Sequence, residues 1–575
     1  MDPHMMEKLH KGLIALEYRG YDSFGVAVQQ GDTVAIQKYI GAPSSHQLPP
    51  LPGIAGMAHT RWATHGGVRT VNAHPHRYGR VTIVHNGILE NYQYLAGEVP
   101  EFCPQSQTDT EVMAAYIDAR LQQGEDPFRA LQAFHSVAEG SYAVVLLVEG
   151  DDQLYFLSCR SPLCLGKGPE GVFVASDTFA FQSYTTTVNY LDDGDMGATD
   201  GQRIVVKRID TLEDNPRRDV LLSAIESPTT LQGYSYHMLK EILEDTKRVV
   251  PKVLQENLSV LQLLVEEIQE SDRVLFIGCG TSYYMAKAGY WYMAQLAPEI
   301  AQKKIQVFPA YETDLYRDSI DDRTLVIALS QSGETADVMQ PLLHAAAQGA
   351  RIACITNTPR SRIARMSHLV VDLQMQKEIA VASTKAATAQ LVLLVALAYV
   401  LAGTPEYLQQ LTTISGEIDA LLNPQFSQYV ADVAREIAPA EHLYIIGSGV
   451  YRALAEEAAL KIAEVAYIHP SGLHACELKH GPLALLQEGF TVLSLGDDVT
   501  TGDNTTIAAA RGGVIVGITH TRHQYAKHWL RIPSANAMVQ PFLVLITVQL
   551  LAYHLSTLRG NNPDRPRNLA KSVTV

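Results

Sequence analysis

Ser330, Gln331, Ser332 and Thr335 fall within the stretch LSQSGET, which follows an apolar run, and they crowd three hydroxyls and an amide into six positions. Such donors beside exposed backbone N–H groups suit a phosphate. No Walker lysine accompanies them, so a phosphomonoester fits better than a nucleoside triphosphate. An ordinary Ser/Thr N-cap explains one such hydroxyl but not four polar side chains. GCGTS, at residues 278–282, is a second glycine turn between a strand and a helix. N–H groups and the helix dipole attract anions there, although a lone G-x-G serves equally well as a plain structural turn. A third stretch, VASTKAATAQ from Val381, packs Ser383, Thr384 and Lys385 at the start of an apolar helix, and capping accounts for part of it.

The elements that must position these residues alternate apolar strands with helices. VLFIGCG, LVIALSQSG and IACITN come first, then LYIIGSG, FTVLSLG and VIVGITH. Strand, helix, strand in succession predicts a parallel sheet. VLFIGCGTSYYMA near Val274 matches LYIIGSGVYRALA near Leu443, and IACITNTP near Ile352 matches VIVGITHTR near Val514. Copies of this size are too large for solenoid repeats, so the duplication predicts two copies of one α/β domain. The first third differs, with short β-rich runs at 81–85, 142–148, 153–157, 172–175 and 203–207 and a helical stretch at 109–121, and reads as an α+β domain. Between them TLEDNPRRDVLLSAIESPTTLQGYSYH keeps neither period and reads as a linker. Three domains in total are expected.

The 61 acidic and 45 basic side chains leave a formal charge of −16, which repels a nucleic-acid backbone and makes a small substrate the better expectation. Cys103, Cys159, Cys164, Cys279, Cys354 and Cys476 contain no C-x-x-C pair, so neither a disulfide framework nor a zinc site is expected, and the protein reads as cytosolic. The runs 391–402 and 542–552 are the most apolar; one is too short to span a bilayer and the other is interrupted by Gln549, so both are expected as core helices rather than membrane spans. The opening residues lack the pattern of a signal peptide.

GCGTS, SQSGETAD, VASTKA, ELKHGPLAL and the terminal PRNLAKSVTV together resemble the tandem sugar-isomerase (SIS) domains of the glutamine:fructose-6-phosphate aminotransferase family, the glucosamine-6-phosphate synthases. The resemblance covers about 240 to 575. It implies two three-layer αβα SIS domains with parallel sheets, at 247–410 and 428–565, followed by an active-site tail at 566–575. By the same resemblance Ser330, Gln331, Ser332 and Thr335 hold the phosphate of fructose 6-phosphate, while Thr281, Ser282, Val381 and Ser383 line the sugar. Amination at C2 with proton movement from C1 to C2 needs an amine, a base and a ring opener. Lys571 matches the Schiff-base lysine, Glu464 the proton carrier, Lys461 a further active-site lysine on the same helical face, and His480 a ring-opening histidine supplied across a dimer interface. Without the family, Lys571 reads as a solvated tail lysine, Glu464 as part of a charged helix face, and His480 as a loop cap.

EYRGYDS, HTRWATHG, NAHPH, VHNGILEN and TDTEV resemble the N-terminal-nucleophile glutamine amidotransferase domain, an αββα fold, over residues 1–210, with a linker at 211–246. The resemblance implies Arg61 on the glutamine carboxylate, Asp109 on its amino group, Thr64 and His65 nearby, Asn86 with the Gly87 N–H as oxyanion hole, and Trp62 gating the ammonia path. Read alone, Arg61 and Asp109 are a surface ion pair and Asn86-Gly87 a hairpin turn. The family's nucleophile is an N-terminal cysteine activated by its own α-amino group, and this sequence opens Met1-Asp2, with Cys103 the one cysteine in its first 150 residues. A start placed too far downstream, a processing difference, or a paralogue using free ammonia or a partner's glutaminase would each explain it. The first is favoured because Arg61, Asp109 and Asn86 are retained. The tail also stops at Val575, where the family usually adds an acidic residue. No cofactor or metal is expected. The expected partners are fructose 6-phosphate with glutamine or ammonia, in a homodimer or higher homo-oligomer. The other readings are an ammonia-dependent SIS-domain isomerase or deaminase and a phosphosugar-binding regulator.

Overall fold

The computed structural model describes residues 2–63, 65–222 and 230–573, with the backbone alone described at 244 and 245. It contains two compact units: Met1–Pro228 with the terminal Ser572–Val575, and Thr229–Lys571.

Layering in the first unit follows from the alternation of side chains along its strands. Helix α1 (Met5–Leu16) covers an antiparallel sheet of β1 (Ser23–Gln30), β2 (Thr33–Ile40) and β3 (Ala55–Arg61), in the order β2-β1-β3. Phe24, Val26 and Val28 of β1 pack on Met6 and Leu13 of the helix. Ala27, one step out of phase, joins Val34 and Met57 in a second core. A six-stranded antiparallel sheet closes that core, built from β4 (His76–Tyr78), β5 (Val81–Leu89), β6 (Gly140–Val148), β7 (Leu154–Cys159), β11 (Asp195–Thr199) and β12 (Ile204–Arg208), in the order β12-β11-β7-β6-β5-β4. The four strands β8 (Cys164–Gly168), β9 (Gly171–Ala175), β10 (Thr187–Tyr190) and β13 (Val220–Leu221) make a smaller sheet. Strand β6 sends Ala143, Val145 and Leu147 into the inter-sheet core. Its Val144, Leu146 and Val148 instead meet Val112, Met113 and Ile117 of α2 (Asp109–Gln122) and Leu131 and Phe134 of α3 (Pro127–Val137). The result is the αββα arrangement that the motifs imply.

The second unit holds two five-stranded parallel sheets. One contains β14 (Arg273–Gly278), β15 (Ile305–Pro309), β16 (Thr324–Leu329), β17 (Arg351–Thr356) and β18 (Leu369–Asp372), in the order β15-β14-β16-β17-β18. The other contains β19 (His442–Gly447), β20 (His469–His474), β21 (Thr491–Leu495), β22 (Val514–Thr519) and β23 (Ala526–Arg531), in the order β20-β19-β21-β22-β23. The strand order is the same in both, so the duplication extends to topology. The six strands legible in the sequence are the inner three of each sheet. The outer strands escaped notice because segments such as HPSGLH and AKHWLR mix polar groups into short runs.

Both copies share one core. Helix α4 (Thr246–Glu270) precedes the first sheet; α5 (Thr281–Leu296), α6 (Ala336–Ala347) and α7 (Lys385–Leu401) belong to the first copy, and α8 (Val450–Ala466), α9 (Val499–Ala509) and α10 (Gln540–Leu558) to the second. The two most apolar stretches form α7 and α10, both embedded in this core. Helix α10 is long and apolar enough to cross a membrane, yet 83% of its most apolar 18-residue window is buried against protein here. Within the stretch read as linker, residues 237–245 form a helical turn and a π-helical turn, and Met238 and Ile242 are fully buried in the same core.

Candidate active sites of the two units

In the second unit, β14 ends at a turn whose Gly280 has φ 53°, a conformation that L-residues with a Cβ rarely adopt, and α5 starts at once with Thr281. Thr281 donates from Oγ1 to Glu457 Oε1 at 3.1 Å, and Ser282 Oγ accepts from Gln390 Nε2 at 3.0 Å. After β16 the chain turns through Gly333, at φ 65°, where a Cβ would meet Ser361 Oγ at 1.9 Å. Ser330 Oγ accepts the Gly333 N–H at 3.0 Å and lies 3.0 Å from Thr335 Oγ1, and Ser332 Oγ accepts the Glu334 N–H at 3.2 Å. This loop therefore gathers Ser330, Ser332 and Thr335 at the N-terminus of α6, with Gln331 between them and its carbonyl accepting the Asn357 N–H.

The loop before α7 meets the tail. Lys571 is 4% exposed, ion-paired to the fully buried Glu378, and its Nζ lies 3.4 Å from Ser383 Oγ and 3.5 Å from the Val381 carbonyl. The tail folds back, which removes the reading of Lys571 as a solvated tail lysine. Burial works to raise the Glu378 carboxyl, but the ammoniums of Lys571 and Lys385 outweigh it and hold the group below the usual carboxylate range. On α8, Glu457, Lys461 and Glu464 follow helical spacing along one face. Lys461 Nζ is 2.5 Å from Glu464 Oε2 and 3.7 Å from Glu457 Oε1. Lys461 is buried, which alone would lower its pKa, yet Glu464 and Glu457 reverse the effect and keep the ammonium. Burial pushes Glu457 up to about 8, beyond what Lys461 offsets. His480 ends a 3-10 turn at Ala475–His480 and is exposed. Among the described residues no hydrogen bond or ion pair connects it to Lys571, Lys461 or Glu464.

In the first unit, Arg61, Trp62, His65, Asn86, Gly87 and Asp109 all border one cavity of about 480 Å³. Arg61 and Asp109 are both buried, so the surface ion pair is corrected. The Arg61 guanidinium instead spans a loop, donating to the carbonyls of His65, Gly66 (3.0 Å) and Gly67 (3.4 Å). Asp109 Oδ2 accepts the Leu89 N–H at 2.9 Å. The hairpin turn is corrected too: Asn86 and Gly87 lie inside β5, paired with Ala143 and Tyr142. Gly87 has φ 141°, and a Cβ there would meet Ser141 O at 2.0 Å, so the glycine serves a close strand approach rather than a turn. Asn86 Nδ2 donates to Ser161 Oγ at 3.1 Å. Thr64 lies outside the described residues. No described cysteine borders the cavity.

His59, His74 and His85 border this cavity, and His76 packs against His74. The rings of His59 and His74 stack at 4.2 Å, those of His74 and His76 meet edge-on at 4.9 Å, and His85 Nδ1 lies 3.1 Å from Thr110 Oγ1. Burial lowers all four, His59 to about 3.

The glutamine amidotransferase domain family matches residues 71–183, and the SIS domain family matches twice, at 267–400 and 436–559. Over its entire length the chain is 36% identical to a Thermococcus kodakarensis glutamine--fructose-6-phosphate aminotransferase [isomerizing], covering 98% of that relative. The Zymomonas mobilis enzyme of the same name is also 36% identical, over 99% of this chain and 98% of its own length. The chain belongs to this family of aminotransferases. Among solved structures it is similar to the C-terminal domain of glucosamine-fructose-6-phosphate aminotransferase from Francisella tularensis, 27% identical with a TM-score of 0.53, covering 59% of this chain and all of that one.

Three members of the second unit's charge cluster were not read from the sequence: Glu378, Glu457 and Glu241. Glu241 is buried in the π-helical turn, accepts the Ile379 N–H at 2.6 Å and lies 3.6 Å from Lys385 Nζ. Glu378 stands beside the VASTKA motif and Glu457 one turn before Lys461, so proximity to a motif was the one local signal for either. Nothing local marks Glu241.

Proposed function

We propose that this family member makes glucosamine 6-phosphate from fructose 6-phosphate, taking nitrogen from glutamine where a thiol nucleophile is present and from ammonia otherwise. The observation that carries this reading is the buried amine of Lys571, held within 3.5 Å of Val381 and Ser383 in the unit that also contains the hydroxyl loop. A sensor of phosphosugars needs no buried amine, and an ion pair that keeps one out of water is costly without a use.

In this reading Ser330, Gln331, Ser332 and Thr335 take the phosphate, and Thr281, Ser282, Val381 and Ser383 the sugar hydroxyls. Lys571 attacks C2, Glu464 carries the proton between C1 and C2, and Lys461, ion-paired to Glu464 at 2.5 Å, tunes it. His480, exposed and joined to none of these groups by a hydrogen bond or ion pair among the described residues, opens the ring of a sugar bound to a neighbouring subunit, which makes a cytoplasmic homodimer the working form. Arg61, Thr64, His65, Asn86, Gly87 and Asp109 hold glutamine, and Trp62 gates ammonia. The working domains are 1–210, 247–410 and 428–565, with a linker at 211–246 and the tail at 566–575.

The test is formation of glucosamine 6-phosphate from fructose 6-phosphate with either ammonium or glutamine. Product is expected with ammonium alone, and Lys571→Ala should abolish it, a loss of about 1,000-fold or more for a covalent nucleophile. Product from the Ala variant, or none from the parent with ammonium, rejects the reading.

A further inference from the structure

The Lys571 amine is buried as an ammonium against a carboxylate, and in that state it has no lone pair with which to attack a carbonyl. Something must take its proton at the moment of reaction. Bulk water is a poor candidate, because Lys571 is 4% exposed and its partner fully buried.

Glu378 is the group in contact. Its Oε1 is committed to the start of α7, accepting the N–H of Thr384 at 2.9 Å and of Ala386 at 3.2 Å, which leaves Oε2 facing Lys571 Nζ. The backbone on either side of Glu378 is fastened as well. Lys385 Nζ donates to the Lys377 carbonyl at 3.1 Å, and Glu241 accepts the Ile379 N–H at 2.6 Å while lying 3.6 Å from Lys385. Glu241 thus reaches Glu378 through its two neighbours from a π-helical turn, a feature that recurs at functional sites. Its second oxygen, Oε2, is buried without a hydrogen-bond partner among the described residues.

We propose that Glu378 is a catalytic residue of the sugar reaction, taking the ammonium proton from Lys571 and returning it to the hydroxyl that leaves C2 as water, and that Glu241 is the positioning residue behind it. The proposal rests on the assignment of Lys571 above. Proton transfer from Lys571 to Glu378 leaves a neutral amine and a carboxylic acid. The nitrogen lone pair forms the C–N bond at C2, the carbonyl π pair moves to oxygen, and that oxygen takes one proton from the new ammonium. Glu378 then protonates the resulting hydroxyl, the C–O bond breaks, water departs, and the nitrogen lone pair completes the protonated imine. Three protons begin on nitrogen; one remains there and two leave in water, and Glu378 returns to carboxylate. The charged groups around Glu378 are Lys571, Lys385, Glu241 and, through space, Lys461. Burial first, and then the charge of Glu378, raise Glu241 to about 8, so one carboxyl of the pair holds a proton at neutral pH while the other stays free to accept one.

The experiment is borohydride trapping of the imine formed with fructose 6-phosphate, as a function of pH, together with ammonia-dependent turnover. Glu378→Gln keeps an oxygen for the two capping N–H bonds but loses the base. It should lower kcat and the trapping rate at pH 7 by about 100-fold, with KM within about threefold, and trapping should recover about tenfold per pH unit on raising the pH as hydroxide substitutes. Glu241→Gln, which still accepts the Ile379 N–H, should move the alkaline limb of the trapping profile by one pH unit or more, a change that a packing role would not produce. Rates and profiles unmoved in both variants overturn the proposal, and if Glu378→Gln does not fold, an unmoved profile in Glu241→Gln overturns it alone. Lys571→Ala runs alongside: trapping that survives it rejects the Lys571 assignment and this proposal with it, whereas trapping lost there and unmoved in the Glu variants rejects this proposal only.

Discussion

The two α/β copies of the second unit share a strand order and a glycine turn, with Gly280 and Gly449 at φ 53° and 59°, yet the loop after the third strand carries opposite chemistry in each. In the first copy that loop presents Ser330, Ser332 and Thr335. In the second, Asp497 accepts the N–H groups of His520 (2.8 Å) and Thr521 (2.6 Å), and Asp498 caps α9 by accepting from Thr501 at 2.9 Å. Carboxylates already occupy the donors there and would repel a phosphate. The second copy instead contributes α8, whose Glu457 touches Thr281 of the first. On the proposed reading one copy receives an anion and the other supplies charge, which is what duplication permits once each half is relieved of the other's task.

The strongest test of that division converts one loop into the other. Ser332→Asp should weaken fructose 6-phosphate binding about 100-fold by calorimetry, since a like charge enters the anion site; unchanged affinity would break the comparison. A second test uses pH. Glu457 is raised in the folded state to about 8 from 4.5, so its contribution to stability is full below 4.5 and lost as pH rises through 8. The thermal transition of the second unit should therefore fall between pH 5 and 8, and Glu457→Gln should flatten that fall. The first unit should behave oppositely: its buried imidazoles, His59 lowered to about 3 from 6.5, contribute stability that is present above 6.5 and lost as pH falls toward 3. Two calorimetric transitions moving the same way with pH would contradict this. The smallest effect is expected at the second loop, where Asp498→Ala removes a helix cap worth about 1 kcal/mol and should leave sugar-phosphate affinity within about twofold.

The hydroxyl loop was legible because its residues are contiguous and its geometry is that of a strand meeting a helix. The inner strands were legible because their apolar runs are unbroken. The charge cluster was not. Lys571 meets Glu378 across 193 positions, and Thr281 meets Glu457 across 176. No periodicity reports a pairing at such distance. Asn86-Gly87 misled for the same reason: the dipeptide is a turn signal locally, and only the approach of Ser141 explains a glycine inside β5.

By itself the sequence determined which stretches alternate as strand and helix, that one α/β pattern occurs twice, and where hydroxyls crowd a helix start, because these follow from local spacing and backbone preference. The tertiary structure alone decided that the tail lysine is buried, that Glu378, Glu241 and Lys385 share its surroundings, and that Arg61 borders a cavity. Burial and charge pairing set those outcomes, and both depend on neighbours that only folding brings together.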